Sequence, residues 1–128
     1  MNENAKKWVA ALRSGKYKQG RNLLKREGFK KHRFCCLGLA CELAKTELNL
    51  NETPDGGEFL FNDQRYSLPD CVRDWLGLRT NLGQLSGRIF SDLAEANDDG
   101  MSFQKIADII ESEPEGLFIE TCKEAKER

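Results

Sequence analysis

The stretch CCLGLACELAKT, residues 35–46, is apolar on nearly every side until its last residues. A helix with one apolar stripe lies on a core, whereas a helix apolar all round lies inside one. This stretch therefore reads as a buried helix that needs other elements around it. Gly38 and Ala40 have little or no side chain, so another element can approach closely there.

Outward to the N-terminus, Glu3 to Ser14 reads as a helix with Trp8, Val9 and Leu12 on one stripe and Gly15 as its stop. The following KYKQGRNLLKREGFKKHRF, residues 16–34, reads as a loop, a short strand near Arg21 to Lys25, a turn at Glu27-Gly28 and a return to Arg33. Outward to the C-terminus, Thr53-Pro54-Asp55-Gly56-Gly57 marks a turn. Glu58 to Asn62 and Arg65 to Leu68 read as two strands of a hairpin joined at Asn62-Asp63. Leu68-Pro69-Asp70 opens a short helix through Leu76, ended by Gly77. Arg79 to Gly87 reads as a loop. Arg88 to Ala96 reads as a helix, and Ser102 caps another to about Ser112 with Phe103, Ile106, Ala107 and Ile110 on one face. A last, mostly polar helix is expected from Leu117 to Lys126. The expected fold is α+β: one compact domain, about five helices and a small antiparallel sheet of one or two hairpins.

Composition agrees with a folded domain. The chain has 128 residues, 39% hydrophobic and 32% charged, and at this length about two-thirds of the unfolded surface can be buried. No apolar run approaches the length of a membrane-spanning helix, and MNENAKKWVAALRSG lacks the pattern of a secretory signal. A cytoplasmic protein with no membrane partner is expected. Five cysteines, two of them adjacent, make a poor disulfide framework and read as reduced, mostly buried thiols.

Charge is unevenly placed. Residues 1–34 hold eleven Lys and Arg against two Glu, a net of about +9, while residues 35–87 carry about −4 and residues 88–128 about −6. Such a basic segment in a nearly neutral protein points to an anionic partner or to an internal acidic face. Its densest stretch holds Lys16, Lys18, Arg21, Lys25, Arg26, Lys30, Lys31 and Arg33, with Tyr17, Phe29 and Phe34 interleaved. Lys and Arg hold phosphate through charge-assisted hydrogen bonds, and aromatics between them can stack on a base. A solvated face paired with the acidic C-terminal half is the alternative reading.

His32-Arg33-Phe34-Cys35-Cys36 leads into the apolar helix. The free N–H groups of a helix start attract anions, and the same setting lowers the pKa of a thiol. A nucleophilic Cys35 or Cys36 is therefore an option, although the sole histidine, three residues away, is poorly placed as its base. A metal site from His32, Cys35, Cys36 and Cys41 has poor ligand spacing and no CxxC pair. The helix pair ending in SFQKIADIIE has the outline of a helix-turn-helix, but its acidic surroundings repel DNA.

Three segments carry a family resemblance: WVAALRSGKYKQGR at Trp8 to Arg21, FCCLGLACELA at Phe34 to Ala44, and LAEANDDGMSFQKIADIIE near the end. Together they resemble a family of small bacteriophage and prophage proteins to which no activity is assigned. The resemblance implies a phage accessory protein in the host cytoplasm. It supplies no catalytic residue. Small phage proteins of this kind often counter host defence, one strategy being to sequester a nucleotide signal in a pocket of a homo-oligomer.

The expected function is thus non-enzymatic binding of a phosphorylated small molecule such as a nucleotide. The expected site is Lys16, Tyr17, Lys18, Gln19, Arg21, Arg33, Phe34, Cys35 and Cys36, with no metal and no cofactor. The alternatives are inhibition of a host protein or nucleic-acid machine through the basic face, and a cysteine-dependent enzyme.

Overall fold

A computed structural model describes residues 1–86 and 89–119 of the chain. Helix α1 (Glu3–Arg13) begins after Asn2, whose side chain accepts a 2.8 Å hydrogen bond from the Ala5 N–H. Glu3 in its first turn and Arg13 in its last suit the helix dipole. Ala5, Trp8, Val9 and Leu12 recur at helical spacing and are buried. Gly15, at φ 75°, turns the chain away.

The next three elements are strands of two residues each: β1 (Lys18–Gln19), β2 (Lys25–Arg26) and β3 (Arg33–Phe34). Helix α2 (Cys36–Ala44) follows, and then the hairpin β4 (Glu52–Asp55) and β5 (Glu58–Phe61). The five strands form one sheet in the order β1-β3-β2-β5-β4. β1 runs parallel to β3, and the remaining pairs are antiparallel. Helices α3 (Asp70–Leu76), α4 (Leu93–Asp98) and α5 (Phe103–Glu111) complete an α+β fold with five helices among the described residues. The sheet is larger than one or two hairpins and contains a parallel pair. Strands of two residues have no alternation long enough to read from sequence.

The hairpin differs from the one expected. Asn62 and Asp63 do form a tight turn, both at positive φ (49° and 67°), with 2.9 Å bonds in both directions between Phe61 and Gln64. The return ends after that single bridge, and residues 65–68 are not a strand. β5 pairs instead with β4 across Gly56-Gly57, so Thr53, Pro54 and Asp55 belong to a strand rather than to the turn. Pro54 is tolerated because β4 is the edge of the sheet. Further on, α4 starts at Leu93 rather than at residue 88. Asp92 is its cap and accepts from the Glu95 N–H at 2.7 Å. Residues 117–119 are not helical. The Arg79 N–H donates to the Leu117 carbonyl and the Ile119 N–H to that of Gly77. The rest of the expected last helix, with Cys122, lies outside the described residues.

Helix α2 sits in the middle of the core. Seven of its nine residues are buried. Trp8 of α1 donates its indole N–H to the Cys36 carbonyl at 2.8 Å, and Val72, Leu76, Leu93, Ile106 and Ile110 close the surroundings.

Candidate functional site

The loop after α1 and the turn between β2 and β3 lie side by side. They enclose a cleft of about 560 Å³ lined by Gly15, Lys16, Tyr17, Lys18, Gln19, Phe29, Lys30 and Lys31. The Lys31 ammonium reaches the Lys16 carbonyl at 3.4 Å and ties the two segments together. Lys30 holds a left-handed φ of 71°, which turns the chain back toward Lys16. Tyr17 is half-buried, its ring edge-on to Phe34 with centroids 6.1 Å apart. Phe29 is 85% exposed, with the Lys30 ammonium 5.5 Å from its ring centre. A ring this bare leaves its face free for a stacking partner.

The cations of the basic segment divide by partner. Arg13 reaches across to α5 and is bound by Glu111 and Asp108, which together raise its already high pKa. Lys25 is 2% exposed and bridges Glu42 (3.1 Å) and Glu52 (3.0 Å), with its ammonium over the rings of Phe59, Phe34 and Phe61. Lys25 is therefore part of the core, although it belongs to the basic run. Lys16, Lys18, Arg21, Arg26, Lys30, Lys31 and Arg33 have no carboxylate within 4 Å among the described residues. The acidic C-terminal half does not neutralise them as side-chain ion pairs there.

The structure brings together only part of the expected site. Lys16, Tyr17 and Lys18 line the cleft, and Gln19 does so while its amide donates inward to Asn97 (2.9 Å) and to the Met101 carbonyl (2.8 Å). Arg33 lies beside Lys18 across the β1–β3 pair. Arg21 is exposed but points elsewhere, its guanidinium lying against Gly100 between α4 and α5.

Phe34, Cys35 and Cys36 are corrected outright. Phe34 is buried, with Tyr17 against its ring and Lys25 over it, so no base can stack there. The start of α2 is not open to phosphate. Its Cys36 N–H donates to Asn97 Oδ1 at 3.1 Å, and its Gly38 N–H donates to the Cys35 sulfur at 3.3 Å. Asn97, itself fully buried, also donates to the Gly20 carbonyl at 2.9 Å. Nor are the thiols activated. Burial raises Cys35 to about 11 and raises Cys36 and Cys41 well above the usual thiol value. Desolvation outweighs the helix start. Phe29, Lys30 and Lys31, named in the basic run but left out of the narrower expected site, take the vacated places. The available signal was Phe29 itself, an aromatic in a glycine- and lysine-rich turn with no apolar residue at helical or strand spacing.

Among the described residues no group of three or more His, Cys, Asp or Glu side chains is arranged to hold a metal. No described helix is long and apolar enough to cross a membrane. A family model for a domain of unknown function, DUF8296, matches residues 1–114. The chain belongs to this family. No curated protein and no solved structure matches it. The DUF8296 match covers the sheet, all five helices and every residue of the cleft.

Proposed function

We propose that this DUF8296 protein binds a phosphorylated small molecule of the nucleotide class in the lysine cleft and does not transform it. In this reading it is a bacteriophage accessory protein that sequesters a nucleotide signal in the host cytoplasm, and a second copy would close the open side of the cleft. One observation carries the proposal. Lys16, Lys18, Lys30 and Lys31 surround the cleft without carboxylate partners among the described residues, and Tyr17 and the bare Phe29 line the same space. Ammonium groups supply charge for phosphate, and a ring supplies a face for a base. The raised, buried thiols disfavour a cysteine nucleophile.

The test is a thermal-shift screen at low salt with AMP, cyclic nucleotides and ADP-ribose. A ligand at a hundred times its Kd stabilises by about 2.7 kcal/mol, so a clear rise in Tm is expected for at least one of them. The rise should shrink as salt is added and vanish in a Lys16→Gln, Lys18→Gln, Lys31→Gln triple variant. No rise with any of these nucleotides rejects the reading.

A further inference from the structure

We infer that the lysine cleft is one end of a longer anion track whose ligand is single-stranded nucleic acid, an extension that rests on the cleft reading above. The register of the sheet lines up the cations. Lys18 on β1 stands opposite Arg33 on β3, and Arg33 stands opposite Arg26 on β2. Residues opposite each other in neighbouring strands share a face. The other face of the same three strands carries Gln19, Phe34 and Lys25, of which Phe34 and Lys25 are buried. Lys18, Arg33 and Arg26 therefore form a row on the outer face. With strands about 4.8 Å apart, the row is roughly 10 Å long. Lys18 also lines the cleft, so cleft and row are continuous.

The row continues into acidic residues, but these are already engaged. Arg26 is opposite Glu58 on β5, and Glu58 is opposite Asp55 on β4. Arg65 pairs with both carboxylates. Lys18, Arg33 and Arg26 are left without a carboxylate partner among the described residues. Two glycines keep the middle of the row in place. A Cβ at Gly20 would stand 3.0 Å from that of Arg33, and one at Gly28 would stand 3.1 Å from Arg33 Cγ and 2.5 Å from the Lys31 carbonyl. Arg33 holds itself along the sheet by one long bond, 3.4 Å, from Nη1 to the Gln19 carbonyl. Its other N–H groups face no carboxylate among the described residues.

A mononucleotide places its phosphates at one end of one base. It has no use for two further cationic positions, Arg33 and Arg26, leading away from the cleft. A single strand has successive phosphates to lay along them, and an unstacked base for Phe29. A duplex offers the phosphates but keeps its bases stacked.

The experiment uses the full chain. Binding of dTMP is measured by calorimetry, and binding of a labelled eight-nucleotide oligothymidylate by fluorescence anisotropy across a salt series. The oligonucleotide is expected to bind at least tenfold tighter than dTMP. The logarithm of its binding constant should fall with log salt by about 0.7 per phosphate contact. Arg26→Gln and Arg33→Gln should each reduce that slope by about one contact, and Arg26→Gln should leave dTMP binding unchanged. Arg26 is exposed, so its variant decides the matter even if Arg33→Gln folds poorly. If dTMP binds as tightly as the oligonucleotide, or if Arg26→Gln leaves the slope intact, the track is refuted and the cleft reading survives. If neither ligand binds, the track is refuted, and the cleft reading stands or falls on the thermal-shift screen with AMP, cyclic nucleotides and ADP-ribose. Equal binding of an eight-base-pair duplex refutes the single-stranded assignment.

Discussion

Gly38 of α2 lies so close to Leu24 that a Cβ placed on it would stand 1.6 Å from the Leu24 carbonyl oxygen. The same carbonyl accepts the Cys35 N–H at 3.3 Å, so the backbone before β2 is fastened to the start of the helix. Alanine is ordinarily the better helix former by about 1 kcal/mol, but a backbone carbonyl cannot swing aside as a side chain can. Gly38→Ala is expected to cost more than the roughly 1–3 kcal/mol of ordinary overpacking. A thermal melt of the variant checks this, and a Tm equal to the parent's would refute the close approach.

Asn97 is the second fastening. Its side chain accepts from the Gln19 amide and the Cys36 N–H and donates to the Gly20 carbonyl, the last two bonds lying in the interior. Asn97→Leu leaves the buried Cys36 N–H and Gly20 carbonyl unpaired, each at about 1–3 kcal/mol, so a loss of at least about 2 kcal/mol is expected in urea unfolding. Asn97→Asp places a carboxylate oxygen against the Gly20 carbonyl and beside Asp98. Burial and these acceptors raise the pKa of such a carboxyl. Its penalty should be largest near pH 7 and shrink as the pH falls through that raised value and the group protonates. A penalty independent of pH would show that Asn97 only fills space.

How far the sequence could be read follows from the length of each pattern. Helix α2, its need for Gly38, the α3 boundaries at Pro69 and Gly77, and the Ser102 cap were all legible, because composition or a single obligatory residue marks them. Of the three short strands, the antiparallel pair β2 and β3 was legible in outline from the turn at Glu27-Gly28 and the return to Arg33, whereas β1 and its parallel pairing were not, since two residues contribute only one inward and one outward side chain. The partner of β5 is hidden in the sequence because Pro54 argues for a turn, and only its place at a sheet edge makes it strand-compatible. At the site, charge and aromatics identified the right segment. Sequence cannot show which basic residue turns inward, so Lys25 was grouped with the surface cations. Nor can it show that a helix start is covered, which for Cys35 and Cys36 depends on Asn97, some sixty residues away.

Acid sensitivity should centre on the Lys25 cluster. Burial alone opposes ionisation of Glu52, but its hydrogen bond to Lys25 and the charges of Lys25 and Lys45 outweigh burial and hold the carboxyl below its ordinary value of 4.5. A carboxyl with a depressed pKa in the folded state contributes its full stability above the unfolded value. That contribution is lost as pH falls through the folded value. Stability is thus expected to decline below about pH 4.5, and Glu52→Gln should be less stable at pH 7 with a shallower decline. Urea midpoints at pH 7, 5, 4 and 3 make the comparison, and parallel curves for parent and variant would contradict it.

Thiol accessibility separates the cysteines sharply. Cys35, Cys36 and Cys41 are buried and, by burial, hard to ionise, whereas Cys71 is exposed. Iodoacetamide at pH 7.5 should alkylate Cys71 in the native protein and reach Cys35, Cys36 and Cys41 only after denaturation, as read by peptide mapping. Native labelling of Cys35 or Cys36 at the rate of Cys71 would restore the nucleophile reading.

Phe29 and Phe34, both read from the sequence as rings that can stack on a base, should behave oppositely when removed. Phe34 is 5% exposed among Tyr17, Lys25 and the core, so Phe34→Ala should cost about 3–5 kcal/mol of stability. Phe29 is 85% exposed and buries almost nothing, so Phe29→Ala should leave stability within about 0.5 kcal/mol of the parent. Stacking on a ring contributes about 1–3 kcal/mol per base, so the same Phe29→Ala change should weaken nucleotide binding by roughly five- to a hundredfold. Phe29→Trp should restore or strengthen it. Calorimetric titration beside a melting curve for each variant checks both halves. Unchanged binding in Phe29→Ala would mean that the exposed ring is not where a base rests.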